Sequence, residues 1–386
     1  MQGKCTALYK QKKVENSFHI TYFIFVTSTL KTSTPPSENL RFRIFFGGPD
    51  CRPRVLRDIL DSHVSAVPPG GEVFWATYYF RDEALADSLV KAKKRGVRVR
   101  LALEANPRTA RANLQVFNML RGADNLGGDC RPLRHNWSDN LRWKKPRLHI
   151  KLYYFSHPEP HVLVGTFNPS GNQPEDPHMV AEIGDQDRGH NYLVEITDSR
   201  LVLPLREHLL LLHGGPHGPW ERLLPRNNRV LTAGDSRIYL FPRLGRDVIR
   251  RKLLTLPKGT ILRMAVSHLN DEKIGKTLLQ LAKRGVEIEI LAHDTERRVP
   301  RWIENMLGGH LVFRRYRNCQ GLPMHNKFIL IDTTGGREVI FGSMNLSNNS
   351  LYANHELLVV SGDHFLYDNF RNRWEQMLEE TERMTS

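Results

Sequence analysis

The sequence predicts an α/β protein built from two similar halves, each with a mixed or parallel sheet covered by helices. Three observations predict this fold. Strand-like apolar runs alternate with helical patterns, the same series of elements occurs twice in one order, and both copies carry Lys-Arg-Gly-Val at the same turn. Chance similarity between two generic α/β units is the alternative explanation of the repeat.

In the first half, apolar runs predict strands and helical spacing predicts the helices between them. The strands are Phe42 to Phe45, Val73 to Ala76 and Val97 to Leu103, and the helices are Val55 to Val64 and Asp82 to Lys94. Gly96 follows the second helix, where a helix C-terminus needs a residue that tolerates left-handed geometry.

The second half repeats this order. Its strands are Arg237 to Leu240, Ile261 to Val266 and Val286 to Leu291, and its helices are Asp247 to Leu254 and Asp271 to Lys283. Gly285 takes the place of Gly96. The sequence therefore predicts one lobe over residues 41–208, a connector rich in Gly, Pro and His over 209–228, and a second lobe over 229–386.

Residues 1–40 differ from the rest and resemble a signal peptide in outline, since three lysines precede the short apolar run Phe18 to Val26. Polar residues interrupt that run, and no small-x-small cleavage site follows it. A disordered extension is the alternative, and a cytoplasmic location is favoured over export.

The chain is strongly basic, with 56 Lys+Arg against 41 Asp+Glu and a formal charge of +15. A positive surface attracts nucleic acid and anionic lipid alike, although a generally basic proteome would give the same balance. No apolar run approaches the roughly 18 residues that span a bilayer, so a soluble or peripheral protein is expected. Four scattered cysteines argue against a cysteine zinc site, and one bridge from Cys51 to Cys130 stays open.

Each half carries a His-x-Lys motif followed by Gly-x-x-Asn. The copies are His149-Ile150-Lys151 with Gly165-Thr166-Phe167-Asn168, and His325-Asn326-Lys327 with Gly342-Ser343-Met344-Asn345. On a strand the His and Lys side chains leave the same face. One such motif is common by chance, but two, each with the glycine sixteen or seventeen residues after the histidine, are far more specific.

These motifs resemble the signature of the phospholipase D superfamily, HxK(x)4D followed by GxxN, and the resemblance covers residues 41–380. Its members include phospholipases, cardiolipin and phosphatidylserine synthases, nucleases and tyrosyl-DNA phosphodiesterases. The resemblance implies two phospholipase D-like lobes related by pseudo-twofold symmetry, with both motifs at one shared active site. Asp332 completes the second motif, whereas Ser156 replaces the Asp of the first. Because that Asp usually supports the histidine in the family, a degenerate pseudoenzyme is an alternative.

The residue types suit cleavage of a phosphodiester. One imidazole attacks phosphorus to give a phosphohistidine, and the other protonates the leaving alkoxide and then activates water or an alcohol. The resemblance favours His149 as the nucleophile. Lysines neutralise the charge on the phosphoryl oxygens, and asparagines assist as neutral hydrogen-bond donors. Two glutamates are expected to hold ring nitrogens. Because the lysines supply the positive charge, neither a cofactor nor a metal is expected. The predicted catalytic residues are His149, Lys151, Asn168, Glu195, His325, Lys327, Asp332, Asn345 and Glu356.

The leading functional hypothesis is a phospholipase D-like phosphodiesterase that hydrolyses or transfers a phosphatidyl group. The alternatives are a metal-independent nuclease of the same superfamily and, from another class, a catalytically weak protein that binds anionic lipid or nucleic acid. The expected partners are a phospholipid substrate or membrane surface, or a nucleic acid bound by the basic loops before each motif. A monomer is expected.

Overall fold

The repeated sequence pattern forms two sheets of equivalent topology in a computed structural model, which describes residues 42–135, 146–215, 217–218 and 220–384. The predicted extension over residues 1–40 and the part of the first basic loop at 136–145 lie outside the described residues. The α/β class and the two lobes predicted from the sequence are confirmed.

Within these residues the first sheet has seven strands in the order β1-β7-β6-β5-β2-β3-β4. Its strands are β1 (Phe42–Gly47), β2 (Glu72–Thr77), β3 (Arg98–Glu104), β4 (Cys130–Leu133), β5 (Leu152–Phe155), β6 (His161–Gly165) and β7 (Asn191–Ile196). The helices of this lobe are α1 (Val55–Ala66), α2 (Glu83–Lys94), α3 (Leu114–Arg121), α4 (Pro177–Ile183) and α5 (Ser199–Gly214).

The second sheet has eight described strands in the order β8-β9-β15-β14-β13-β10-β11-β12. They are β8 (Val230–Ala233), β9 (Ser236–Phe241), β10 (Ile261–Val266), β11 (Glu287–Ala292), β12 (Val312–Arg315), β13 (Lys327–Thr333), β14 (Gly336–Gly342) and β15 (Glu356–Ser361). The helices are α6 (Pro225–Asn228), α7 (Val248–Leu254), α8 (Glu272–Lys283), α9 (Arg301–Leu307), α10 (Asn348–Tyr352) and α11 (His364–Glu382). Apart from the additional edge strand β8, this order matches the first sheet strand for strand.

Local chemistry explains the shared geometry. Asp82 and Asp271 cap equivalent helices by accepting hydrogen bonds from the amides of Leu85 at 2.7 Å and Ile274 at 3.0 Å. Gly96 and Gly285 end these helices with φ angles of 92° and 86°, a left-handed conformation that a side chain would disfavour. The predicted elements are confirmed with boundaries displaced by at most two residues.

The alternation of side chains along the strands produces three hydrophobic layers. In β2, Phe74 and Ala76 join a core shared by both sheets, whereas Val73 and Trp75 pack beneath the outer helices of the first lobe. Helices α5 and α11 contribute to the shared core, and the second lobe has an outer core of its own. The shared core fixes the two lobes to each other, so the central strands β5 and β13 hold their motifs in fixed positions.

Three other sequence expectations concern the connector, the cysteines and the membrane. Helix α5 continues to Gly214, so the predicted connector begins as helix, and a 3-10 turn at Glu221–Leu223 and α6 follow. Cys51, Cys130 and Cys319 are free thiols, so the bridge left open from Cys51 to Cys130 is absent. Among the described residues, no helix is both long and apolar enough to cross a bilayer.

Candidate active site

Backbone pairing across the lobes fixes both histidines. Leu148, next to His149, bridges to His355, and Met324, next to His325, bridges to His190. The His149 amide donates to the His355 carbonyl at 3.0 Å, and the His325 amide donates to the His190 carbonyl at 2.9 Å. The segment just before β15 of the second lobe therefore holds His149. The segment just before β7 of the first lobe holds His325 in the same way.

His149 is supported by a carboxylate from the other lobe. Its Nδ1 lies 2.8 Å from Oε1 of Glu356, and both side chains are buried. Ser343 donates to the second carboxylate oxygen at 2.5 Å, and this orients the group. Since a carboxylate only accepts, Nδ1 carries the proton and Nε2 is left with the lone pair that can react.

His325 has the equivalent arrangement with a neutral partner. Its Nδ1 lies 2.9 Å from Oδ1 of Asn191, which also accepts from Thr166 at 3.1 Å. The Asn191 amide nitrogen donates to the Gln186 carbonyl at 2.8 Å, so its oxygen must face the ring. His325 therefore donates from Nδ1 as well, and Nε2 again holds the lone pair.

Strand register identifies Asn191, and not Glu195, as the counterpart of Glu356. Gly165 pairs with Leu193, and Gly342 pairs with Leu358. Asn191 lies two residues before Leu193, and Glu356 lies two residues before Leu358, so the two residues occupy equivalent positions. Placing Glu195 in the site was wrong.

Glu195 lies further along β7, 2.5 Å from Arg43 and 3.9 Å from His63. A sequence signal for the correct residue was present, because His-Asn-Tyr-Leu-Val at 190–194 parallels His-Glu-Leu-Leu-Val at 355–359.

Both motif lysines are buried beside their histidines. Lys151 donates to the His149 carbonyl at 2.6 Å, and Lys327 donates to the His325 carbonyl at 2.7 Å. Burial lowers the pKa of Lys151 to about 7, although attraction to Glu356 opposes the shift. Burial also lowers the pKa of Lys327 well below its usual value, and the nearby charge of Lys151 adds to that shift. An anion between these groups would restore their positive charge, which makes the site selective for negatively charged substrates.

The histidines are held neutral in the free protein. Burial lowers the pKa of His149 to about 4, with Glu356 opposing and Lys151 adding to the shift. Burial, then Lys327 and Arg298, lower the pKa of His325 well below its usual value. At neutral pH both Nε2 atoms therefore carry lone pairs, and an anionic substrate would favour protonation of one ring.

The two asparagines complete the group that the structure brings together. Asn168 accepts from the Tyr79 amide at 3.2 Å and donates to Gln186 at 2.9 Å. Asn345 is 6% exposed, and its side-chain oxygen has no hydrogen-bond partner among the described residues. Sequence reasoning missed Tyr79 and Gln186, because neither belongs to a motif.

Asp332 and Ser156 lie away from this group, so the catalytic assignment of Asp332 was wrong. Asp332 forms an ion pair with Arg337 at 3.2 Å near the far end of β13. Ser156 accepts from the Glu72 amide at 2.8 Å just beyond the end of β5. Each position is the fifth residue after its motif lysine, a distance of about 16 Å along a strand. The Ser at position 156 therefore gives no support to the pseudoenzyme alternative.

We expect Ser156→Asp to leave the pH–rate profile unchanged, because a charge about 16 Å away acts across more than a Debye length of about 8 Å. A carboxylate in contact with either imidazole would instead shift its pKa by about one unit or more. Asp332→Asn is the matched change and should cost about 0–1 kcal/mol of stability without lowering turnover. A displaced acidic limb in Ser156→Asp would restore a role for this position.

The histidines open onto a polar, basic cleft of about 640 Å³. Its cationic lining comes from both lobes and consists of Arg108, Arg147, Arg297 and Arg298. Arg298 is buried, and burial together with Arg297 and Arg108 lowers its pKa to about 10. Tyr78, Tyr79, His268 and Trp302 add aromatic surface. The cleft therefore suits a substrate with more negative charge than the reacting phosphodiester alone.

Comparison with known families identifies the family to which both lobes belong. The family described as cardiolipin synthase, PLD-like domain, matches residues 70–176 and 254–378, more than half of the chain. Both His-Lys motifs lie within the matched segments. Among curated proteins, none matches this chain in sequence.

Solved structures share the fold. Phosphatidylserine synthase from Haemophilus influenzae superposes with a TM-score of 0.62 at 12% identity, over 88% of this chain and 86% of that protein. Polyphosphate kinase from Porphyromonas gingivalis gives a TM-score of 0.56 at 16% identity, over 88% of this chain and 47% of the kinase. This chain therefore spans about half the length of the kinase, and at these identities the likeness concerns the fold alone.

Proposed function

Since this chain belongs to the cardiolipin synthase, phospholipase D-like domain family, and therefore to a superfamily of phosphoryl transfer enzymes, we propose that it hydrolyses or transfers a phosphatidyl group. One observation carries the proposal. Two buried imidazoles at one cleft each donate Nδ1 to the opposite lobe, at 2.8 and 2.9 Å, which leaves both Nε2 atoms for the reaction. This pair can supply a nucleophile and an acid for the same phosphorus atom.

The unequal partners of the two rings support different roles for the two histidines. Phosphorylation at Nε2 places positive charge on a ring, and the carboxylate of Glu356 stabilises that charge on His149. His325 faces the neutral amide of Asn191, so its protonated form is a stronger acid. His149 is therefore the nucleophile and His325 the general acid.

The reaction then proceeds in two steps. His149 Nε2 attacks phosphorus, the bond to the leaving oxygen breaks, and His325 gives its proton to that oxygen. In the second step His325 takes a proton from water or an acceptor alcohol, whose oxygen attacks phosphorus and releases His149. Lys151 and Lys327 neutralise the non-bridging oxygens, so the chemical step needs no divalent ion.

The four cleft arginines support an anionic phospholipid with a further phosphate as substrate. A second candidate, single-stranded nucleic acid, is favoured by the tyrosines and Trp302, since bases stack on aromatic rings. Vesicles of cardiolipin, phosphatidylglycerol or phosphatidylcholine, and a single-stranded oligonucleotide, would be compared by product analysis. If cardiolipin is cleaved faster than the other substrates, the proposal is supported. If only the oligonucleotide is cleaved, the protein is a nuclease and the proposal fails.

We expect Arg297→Gln to raise KM for cardiolipin about tenfold, since a hydrogen bond to a charged group contributes about 1.5–3 kcal/mol. Its KM for phosphatidylcholine, which has a single phosphate, should change little. Arg301→Gln is the matched control, because Arg301 is exposed on α9 and pairs with Glu296. Equal losses on both lipids would mean that Arg297 acts on folding or on general lipid binding.

A further inference from the structure

A second cluster of titratable side chains lies outside the catalytic cleft, where the connector meets β15. His217 and Glu221 come from the connector, and His355 immediately precedes β15. One ligand atom from each lies within 4.8 Å of the others. The three side chains are 7%, 5% and 1% exposed, so solvent does not satisfy them.

The contacts of this cluster point one nitrogen of each ring at a shared carboxylate. Nε2 of His217 donates to the Leu212 carbonyl at 3.0 Å, so Nδ1 is the nitrogen that faces Glu221 Oε1, at 3.4 Å. Nε2 of His355 lies 3.4 Å from Glu221 Oε2, and neither ring nitrogen of His355 makes a hydrogen bond within the described structure. Buried polar atoms of this kind are rare without a partner.

The surroundings of the carboxylate are mainly imidazole rings. The His135 ring centroid lies 5.2 Å from that of His355 and 6.2 Å from that of His217. Arg226 approaches Glu221 only to 3.9 Å. The Glu221 carboxylate therefore lies beside two imidazoles, and imidazole is the commonest metal ligand in proteins.

We propose that His217, Glu221 and His355 bind a zinc ion. The Glu221 carboxylate lies between the two rings, with Oε1 3.4 Å from His217 Nδ1 and Oε2 3.4 Å from His355 Nε2. Ligand atoms bound at about 2.0–2.1 Å to one tetrahedral zinc lie about 3.4 Å apart, so each ring already has a carboxylate oxygen at the spacing that zinc requires. The Leu212 carbonyl holds the other nitrogen of His217, as outer carbonyls commonly do for metal-binding histidines. Cysteines are not required, because two imidazoles and a carboxylate are an established zinc ligand set in which water takes the fourth position.

The position of this site indicates a structural role. The His355 carbonyl accepts from the His149 amide, and the next residue is Glu356, which supports His149. A zinc ion here would fasten the connector to the segment that carries Glu356 without reaching the substrate. It would therefore stabilise the position of Glu356 relative to His149, and with it the contact between the two lobes.

Zinc content tests the proposal directly. The full chain, purified without a metal-affinity tag, should contain about one zinc per molecule by mass spectrometry. His217→Gln and Glu221→Gln should lose it, whereas the control His213→Gln, from the same segment, should keep it. Zinc added to the metal-free wild type should raise Tm by several degrees, and it should not do so in the two variants.

Cobalt substitution keeps the test decisive if the variants fail to fold. Cobalt added to the metal-free wild type should give the visible absorption bands of a tetrahedral site, saturating at one equivalent. Zinc-free wild type whose Tm and spectrum do not respond to either metal would overturn the proposal, and the cluster would then be a hydrogen-bonded core of histidines.

Discussion

His149→Ala and His325→Ala should each abolish turnover of a phospholipid substrate, and the double variant should be no slower than either single variant. The reason is that the two rings act in sequence on one phosphorus atom, so removing either stops the same reaction. Residues that act as one unit typically lose about four to six orders of magnitude in kcat singly, with little further loss together. Steady-state turnover of cardiolipin by the three variants measures this.

An activated substrate separates the two roles. A phosphodiester with a p-nitrophenol leaving group needs no proton from His325, because p-nitrophenolate leaves unaided. His325→Ala should release about one equivalent of p-nitrophenol in a burst and keep the phosphoryl group on His149, whereas His149→Ala should show no burst. Mass spectrometry of the trapped protein would locate the phosphoryl group.

His310→Ala provides the control, since His310 is exposed and belongs to neither motif. It should turn over substrate like the wild type. If each single variant kept about half of the activity, two independent sites would operate, and the cross-lobe contacts of His149 and His325 would not be catalytic. A burst from His149→Ala and not from His325→Ala would reverse the assigned roles.

Much of the fold could be predicted from the sequence because the determining signals are local. The acidic caps at Asp82 and Asp271, the left-handed glycines and the strand periodicity each act over a few residues, and each occurs twice. The motif residues were found for the same reason. A single His-x-Lys motif is common by chance, but two copies in equivalent positions are specific. The structure places residues of both copies at one cleft.

Residue type alone is a poor guide to the rest of the site, because position in the strand decides which side chain reaches a histidine. Glu195 is acidic, yet the register of β7 makes Asn191 the equivalent of Glu356. Asp332 belongs to the family signature, but a strand residue five positions past Lys327 lies about 16 Å away from it. Sequence alone could not reveal the cluster of His217, Glu221 and His355, because the third ligand is distant in the chain and joins only through tertiary packing.

Lys151→Met and Lys327→Met should each reduce kcat by about two to three orders of magnitude, the loss typical when one donor to a developing charge is removed. Methionine fills similar space, so binding of the lipid tails and the fold should persist. Lys94→Met is the control, since Lys94 is exposed at the end of α2. A loss of less than about fivefold would mean that the lysines do not contact the phosphoryl oxygens in the transition state.

The same variants should remove a pH dependence of stability. Burial lowers the pKa of Lys151 from 10.5 to about 7, so between these values the unfolded chain binds more protons than the folded chain. The free energy of unfolding contributed by this group must therefore rise as pH increases from about 7 towards 10.5.

Urea unfolding at pH 7 and pH 9 measures this effect. At pH 7, Lys151→Met should be at least as stable as the wild type, because it buries no ammonium group. It should also gain less stability than the wild type on going to pH 9. Equal gains in the two proteins would show that Lys151 keeps an ordinary pKa, and the electrostatic preference of the site for an anion would then need another source.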